Sequence, residues 1–442
     1  MELIFDVEVR TSPQKEYISV PQKQTKTFSV LSLFSGCGGL DLGFMGDFKF
    51  RNQFFPRNKF DVVFSNDIEP ATTLVYNQNR KYFKHSLTQC DVKEITDLMI
   101  PDFDIMLAGF PCQPFSNAGQ RKGIDDTRGT LFEECVRLIT LGKERKKQPI
   151  AFVFENVRGM LSSKMPDGTT VPDEIVNRMS ELGYKTTYQL VKASNFGVPS
   201  DRYRVIMVGV REDLPMFDFD LMTQVVEEYH LPNAINNPYE LRLGAILSDI
   251  PSDSPRFEDY WKYSPSGQYM IDKIGTCLDG EEALEDFKDK IPLESISETI
   301  SKGRSWKNMD PEDMSPRFRR IWDDPKKYHA PNFYRRFALG EINGTITASA
   351  QPENCGITHP FLDRRFTIRE IARIQSFPDD FEFPSTTLAN AYKVIGNAVP
   401  PILGWVIAKA LEKHLAKNYL NQDALPTKSN LSDFPNLSVF PN

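Results

Sequence analysis

Between residues 28 and 211, short β-branched and aromatic runs alternate with longer stretches of helical spacing. FSVLSLF precedes DLGFMG, DVVFSN precedes ATTLVYNQNRKYF, DIMLAGF precedes TLFEECVRLITLGKERK, and AFVFEN precedes VPDEIVNRMSEL, before RYRVIMVGV ends the series. Such alternation predicts an α/β fold, a doubly wound and mostly parallel sheet covered by helices. From 212 to about 343 the rhythm dissolves into a loop-rich stretch that holds many prolines and Trp261, Trp306 and Trp322, which reads as a separate, irregular domain. From 366 to 376 TIREIARIQ restores helical spacing, and AYKVIGNAVPPILGWVIAKALEKHL predicts one long apolar helix. Residues 1–27 and 417–442 are polar and aperiodic, and read as weakly ordered extensions.

Composition narrows the class. The chain has 442 residues, 40% of them hydrophobic and 26% charged, enough for one large or two ordinary domains. No apolar stretch approaches the roughly 18 residues that would span a bilayer, and the first twenty residues lack a basic start with an apolar block, so a cytoplasmic protein without a membrane anchor is expected. The six cysteines form no CxxC pair and the five histidines do not cluster near them, which argues against a disulfide scaffold and against a metal site. The net charge of −7 does not advertise a nucleic-acid binder, yet it is unevenly spread. Residues 212–301 hold six basic against twenty acidic side chains, whereas 302–336 hold ten basic against five acidic.

Three short segments carry candidate chemistry, each at the end of an expected strand. Phe34-Ser35-Gly36-Cys37-Gly38-Gly39 follows the first strand, where glycines permit a tight turn and close backbone approach to a ligand. Asp67 ends the next strand, placed either to accept hydrogen bonds from a ribose or to cap a helix. Gly109-Phe110-Pro111-Cys112-Gln113-Pro114-Phe115-Ser116 sets a cysteine between prolines on a loop, a rigid and accessible position where open α/β sheets place active sites. Glu155, in Phe154-Glu155-Asn156-Val157, is a carboxyl at a strand end that suits a proton donor.

Taken in order, LFSGCGGLDLGF, SND, GFPCQPFS, RGTLF, ENV, DRYRV, TIREIARIQSFPDDF and VIGNAVPP resemble the motif series of the cytosine-5 DNA methyltransferases. The likeness runs from about residue 28 to 415 apart from 212–343. It implies a Rossmann-like catalytic domain at 28–211 that binds S-adenosyl-L-methionine, a target-recognition domain at 212–343, and a returning segment at 344–416. The implied reaction is methyl transfer to C5 of cytosine in a short double-stranded DNA sequence, with the base flipped out of the stack. Cys112 is implied as the nucleophile at C6, Glu155 as the acid at N3 and Arg204 as the contact near O2, with Arg202 bracing the site. Phe34, Gly36, Gly38, Asp67, Ile68, Asp91, Pro111, Leu131, Asn397 and Ala398 fall where the family holds its cofactor. Among these, Asp67 takes the ribose, Ile68 packs on adenine and Asp91 receives the adenine amino group. Two departures stand out: Ser200 replaces a glutamine ahead of the arginine pair, and Ile68 replaces an aromatic side chain.

In the basic stretch, Arg304, Arg317, Arg319, Arg320, Arg335 and Arg336 interleave with aromatic residues and are expected at the DNA, together with Gln113 and Ser116 beside the nucleophile. The plainer reading of that stretch is a solvated face over a small aromatic core, and His359-Pro360 reads equally well as structural. A tRNA cytosine methyltransferase would share the chemistry but carry a shorter recognition segment than the roughly 130 residues here. A nicotinamide-dependent oxidoreductase accounts for the glycine loop and Asp67 but not for PCQ and ENV. The expected setting is a monomeric modification enzyme, with a cognate restriction endonuclease as a separately acting partner.

Overall fold

A computed structural model describes residues 26–111, 131–248, 250, 263–275, 277, 303–324, 334–349, 356–360, 362–384 and 387–420. Its centre is a seven-stranded sheet: β1 (Phe28–Leu33), β2 (Phe60–Asp67), β3 (Thr88–Gln89), β4 (Ile105–Ala108), β5 (Ala151–Val157), β6 (Tyr184–Lys192) and β7 (Tyr203–Arg211). Their spatial order is β3-β2-β1-β4-β5-β7-β6. The first five pair in parallel, and β7 runs antiparallel to both β5 and β6. The sheet is mostly parallel, as expected, and β7 is the strand that reverses among those described. The reason is connection length: only residues 193–202 join β6 to β7, too few for the crossover a parallel pair requires. The β6 sequence YKTTYQLVK alternates too weakly to announce itself as a strand.

Helices cover both faces: α1 (Gly39–Met45), α2 (Pro70–Gln78), α3 (Leu131–Glu144), α4 (Val171–Glu181) and α5 (Asp220–Glu228). Farther on come α6 (Pro265–Ile274), α7 (Pro316–Asp323), α8 (Ile368–Ile374), α9 (Leu388–Asn397) and α10 (Pro401–Leu415). The expected single closing helix is two. Pro400 and Pro401 have no N–H to continue the ladder, so α9 stops at Asn397 and α10 starts afresh with proline in its first turn. The run Leu388–Leu420 has the length and hydropathy to cross a membrane, but 94% of its most apolar window is buried inside the fold. Lys417–Leu420, expected in the polar tail, continue helically, and Tyr419 and Leu420 pack on the core.

Helix α10 meets α1 almost backbone to backbone. A Cβ on Gly43 would collide with the Pro401 carbonyl oxygen and lie 2.6 Å from the Trp405 amide nitrogen, and one on Gly39 would collide with the carbonyl oxygen of Val399. Leu214, Phe217, Met222, Val225, Leu231, Leu243 and Ile246 belong to this same core. Residues 214–246 thus join the main body, and the expected boundary at 212 falls too early. A separate small cluster begins later, built from Tyr263, Met270, Ile271, Ile274, Trp306, Met309, Met314, Phe318, Ile321 and Tyr334.

Behind that cluster lies a buried ionic knot that corrects one expectation. Arg336, expected at the DNA, has no exposed side-chain surface. It pairs with Asp363, donates to the His359 carbonyl oxygen and exchanges backbone hydrogen bonds with Arg304. A guanidinium with so little solvent is held by these partners and does not face phosphate. Arg364 grips Glu370 through two hydrogen bonds of 2.7 and 2.8 Å, and Glu370 closes a capping box with Thr367 at the start of α8. His359 Nδ1 accepts from the Leu362 amide, which leaves the ring proton on Nε2, 3.7 Å from Glu370. Burial pushes the His359 imidazole down to about 3, aided by Arg364 and Arg336 and opposed by Glu370.

Two outcomes are expected. In a solvent-facing helix glycine-to-alanine is favourable, but Gly43→Ala forces apart two backbones and should lower stability by about 1–3 kcal/mol in chemical denaturation. The second concerns acid. Since unfolded His359 takes up a proton near pH 6.5 and the folded imidazole only near 3, the unfolded state binds more protons between those values and stability falls as pH drops through that window. Denaturation midpoints measured from pH 7.5 to 5 should therefore decline less steeply for His359→Asn than for the unaltered protein.

Candidate active site

The chain turns from β1 out to β2 and β3, then returns to place β4 on the other side of β1. That reversal opens a crevice beyond the carboxyl ends of β1 and β4, the position where doubly wound sheets hold ligands. A cavity of about 610 Å³ fills it, lined by the glycine loop, the ends of β2, β4 and β5, Arg204 of β7, and α9 with the turn that follows.

The loop after β1 is held in unusual conformations. Phe34, Gly36 and Gly38 all have positive φ, at 54°, 57° and 86°. For Phe34 this costs energy that the surroundings must hold, and its ring lies edge-on to Phe110 at 6.5 Å. The Ser35 amide donates to the Asn66 carbonyl oxygen and the Gly36 amide to Asp67 Oδ2, both at 2.9 Å. Asp67 Oδ1 takes the Glu69 amide at 2.9 Å, so this carboxylate ties the loop to the start of α2, whose N-cap is Glu69. Asp91 caps a short 3-10 turn by accepting from the Lys93 amide at 3.0 Å. Asn66 donates to the carbonyls of Thr88 and Cys90, both at 3.0 Å, and so fixes the chain leading to Asp91.

The other half of the cavity follows from strand register. On the antiparallel pair β5–β7, Glu155 stands opposite Ile206 and Val157 opposite Arg204. Glu155 and Arg204 are thus diagonal neighbours on one face. Arg204 Nε lies 2.7 Å from Glu155 Oε1, with the residues only 9% and 8% exposed, and Arg204 Nη1 donates to the Tyr203 carbonyl oxygen at 2.7 Å. Burial lowers the Arg204 guanidinium from its usual range, and the Glu155 carboxylate opposes that shift. Asn156 points to the opposite face and donates to the Phe110 carbonyl at 3.0 Å, clamping the residue just before Pro111.

Most residues implied at the cofactor meet in this one cavity: Phe34, Gly36, Asp67, Ile68, Asp91, Pro111, Leu131, Asn397 and Ala398 all line it. Gly38 does not; a Cβ there would strike Phe83 and Tyr76, so it faces the rings under the loop. Ile68 is 63% exposed at the cavity's edge. Arg202 lies outside the lining, fully buried, donating through Nη1 to the carbonyls of Ile346 and Gly396 at 3.1 and 2.9 Å. Ser200, the substitute for glutamine, is buried and donates to the Gly344 carbonyl at 3.0 Å. Cys112, Gln113 and Ser116 lie outside the described residues, but Pro111 and Leu131, which flank that segment, are both in the cavity wall.

Of the basic residues, Arg319 and Arg320 are exposed on α7, with Arg319 3.5 Å from Asp323. Arg317 belongs to the same helix. Arg335 pairs with Glu341 at 2.8 Å. Trp306, Phe318 and Tyr334 are buried in the small cluster, as the plainer reading of that stretch anticipated. Sequence reasoning missed Glu69 and Lys393, an ion pair that joins the start of α2 to α9 across 324 residues at the cavity wall. Both sit beside recognised motifs, but pairing at that separation has no local signal.

The profile of the C-5 cytosine-specific DNA methylases matches residues 28–413. Type II methyltransferase M.FnuDI of Fusobacterium nucleatum is 31% identical, over 87% of this chain and 94% of its own length. Type II methyltransferase M.NgoFVII of Neisseria gonorrhoeae is 32% identical, over 89% of each chain. The crystal structure of the S. pombe Dnmt2 methyltransferase shares the fold, with a TM-score of 0.52 at 18% identity, covering 88% of this chain and 99% of that one.

Proposed function

The chain belongs to the C-5 cytosine-specific DNA methylases and is a DNA cytosine methyltransferase of the type II kind; from that premise we propose that it uses S-adenosyl-L-methionine and a covalent adduct of Cys112 with the target base. One observation carries the proposal: the buried Glu155–Arg204 pair shares a single cavity with Phe34, Asp67 and Asp91. A pyrimidine site and an adenosyl site are thus contiguous, as methyl transfer between them requires.

The residues present fit the cofactor. A volume of about 610 Å³ lies within the range of small-ligand sites. Phe34 offers an aromatic face to a purine; Asp67 accepts one amide on each oxygen and Asp91 one amide on Oδ1, leaving lone pairs for ribose hydroxyls and an adenine amino group. When bound, S-adenosylmethionine supplies an electrophilic methyl group.

Cytosine C5 is a weak nucleophile, and the protein's part is to make it a stronger one. The Cys112 thiolate adds to C6, and the displaced electron pair is accommodated as Glu155 holds a proton at N3. Arg204 steadies Glu155 and faces the O2 side, while Arg202 holds the start of β7 to the segment after the recognition region. C5 is then enamine-like and takes the methyl group. Loss of the C5 proton returns its electron pair to the ring and expels Cys112 as thiolate. The target atoms lie inside the stack, so the cytosine must be flipped into the cavity. Residues from about 247 to 343 form the recognition region in this reading, with Arg319 and Arg320 toward phosphate. The protein acts on double-stranded DNA as a monomer, its cognate endonuclease working apart from it.

Incubation with mixed-sequence DNA and methyl-labelled S-adenosylmethionine should place label at C5 within one short motif, mapped at base resolution. Cys112→Ala should abolish label while retaining DNA binding. Appreciable turnover by that variant sinks the adduct, and label in tRNA but not DNA moves the substrate to RNA. Replacing Arg319 and Arg320 together by alanine should weaken DNA binding and reduce the slope of log affinity against log salt by about two. An unchanged slope assigns these arginines to a merely solvated face.

A further inference from the structure

Beneath the glycine loop lies a carboxylate that the reaction does not use. Asp41, on α1, is fully buried and does not line the cavity. Three hydroxyls donate to it from three elements: Ser32 of β1 at 2.6 Å, Ser65 of β2 at 2.8 Å and Tyr76 of α2 at 3.0 Å. Among the described residues no cation pairs with it. Burial pushes its carboxyl up to about 6, while the three hydroxyls pull the other way.

The network is directional. A carboxylate only accepts, so Ser32 must spend its single proton on Asp41. The lone pairs of Ser32 Oγ then face Ser35, whose hydroxyl lies 2.9 Å away and also reaches the Ser32 carbonyl at 3.1 Å. Ser35 Oγ in turn accepts from the Asn66 amide at 3.3 Å. Ser32, Ser35 and Asn66 all line the cavity, and Ser35 sits between Phe34 and Gly36, whose positive φ values must be held in place. Tyr76 works from below as well: a Cβ on Gly38 would lie 2.9 Å from its ring, so the loop rests on the side chain that bonds Asp41.

We infer that Asp41 is a positioning residue for the cofactor loop, holding the Phe34–Gly36 backbone at the cavity wall through Ser32 and Ser35 and thereby setting cofactor affinity. The inference rests on the cofactor reading above. An amide in place of the carboxylate presents its own donor to the cluster, so at least one hydroxyl must turn and the direction of the Ser32–Ser35 link is no longer fixed.

The test is calorimetric titration of S-adenosylhomocysteine into the full chain, for the unaltered protein, Asp41→Asn, Ser35→Ala and the double variant. Each single change should weaken binding about tenfold, and the double variant should bind no more weakly than the weaker single one, because both break the same link. In the transfer assay Asp41→Asn should raise KM for S-adenosylmethionine by the same factor while kcat falls less than about threefold. Affinity unchanged in Asp41→Asn, or losses that multiply in the double variant, overturns the inference. If Asp41→Asn does not fold, Ser32→Ala removes the link while leaving Asp41 two donors, and unchanged affinity there overturns it equally. No binding by the unaltered protein would instead refute the cofactor reading.

Discussion

Helices α1 and α10 touch at Gly43 and Gly404 with almost no side chain between them, Gly39 lies as close to Val399 just ahead of α10, and the cavity depends on that approach. Helix α1 carries the glycine loop at its start, and α10 carries the Asn397–Val399 turn just ahead of it. When the two helices lie backbone to backbone, loop and turn become opposite walls of one chamber. A few tenths of an ångström matter, because packed interiors transmit displacement instead of absorbing it. The same seam explains why α10 is apolar nearly all round: it is a core helix with no face left for water.

The chemical half of the chamber is set by a different constraint, the pairing register of two antiparallel strands. A slip of one residue between β5 and β7 would send Arg204 to the face of Asn156 and leave Glu155 a buried charge without its partner. Register is therefore under electrostatic as well as hydrophobic control. Taking two charges out of water is costly, and their mutual attraction offsets that cost only while both are in place. Burial, with Arg204 beside it, also holds the neighbouring Arg202 well below its usual range, and Glu155 opposes that shift.

Much of this was legible from residues alone. The run FSVLSLF with its glycines, the strand ending at Asp67 and the carboxyl of ENV all stand where strand-end reasoning put them. What was not legible was tertiary. The antiparallel β7 depends on which strands neighbour one another, and the burial of Arg336 depends on Asp363 and His359, brought to it by the fold. A guanidinium in a basic run looks the same whether it meets phosphate or a buried aspartate. Likewise Gly38 was grouped with Gly36 by motif, but one turns toward two aromatic rings and the other toward Asp67. The break between α9 and α10 is written in Pro400-Pro401, but apolar residues on both sides continue the helical spacing across it.

The walls of the chamber come from opposite reaches of the polypeptide, Phe34 and Asp67 on one side and Lys393 to Val399 on the other. A ribosome makes the first set early and the second late. A chain that ends before α9 contains the sequence of every strand of the seven-stranded sheet, Glu155 and Arg204 included, and lacks the segment that supplies the second wall. Translation order therefore supplies this wall last, and a truncated product lacks it whatever strands it contains.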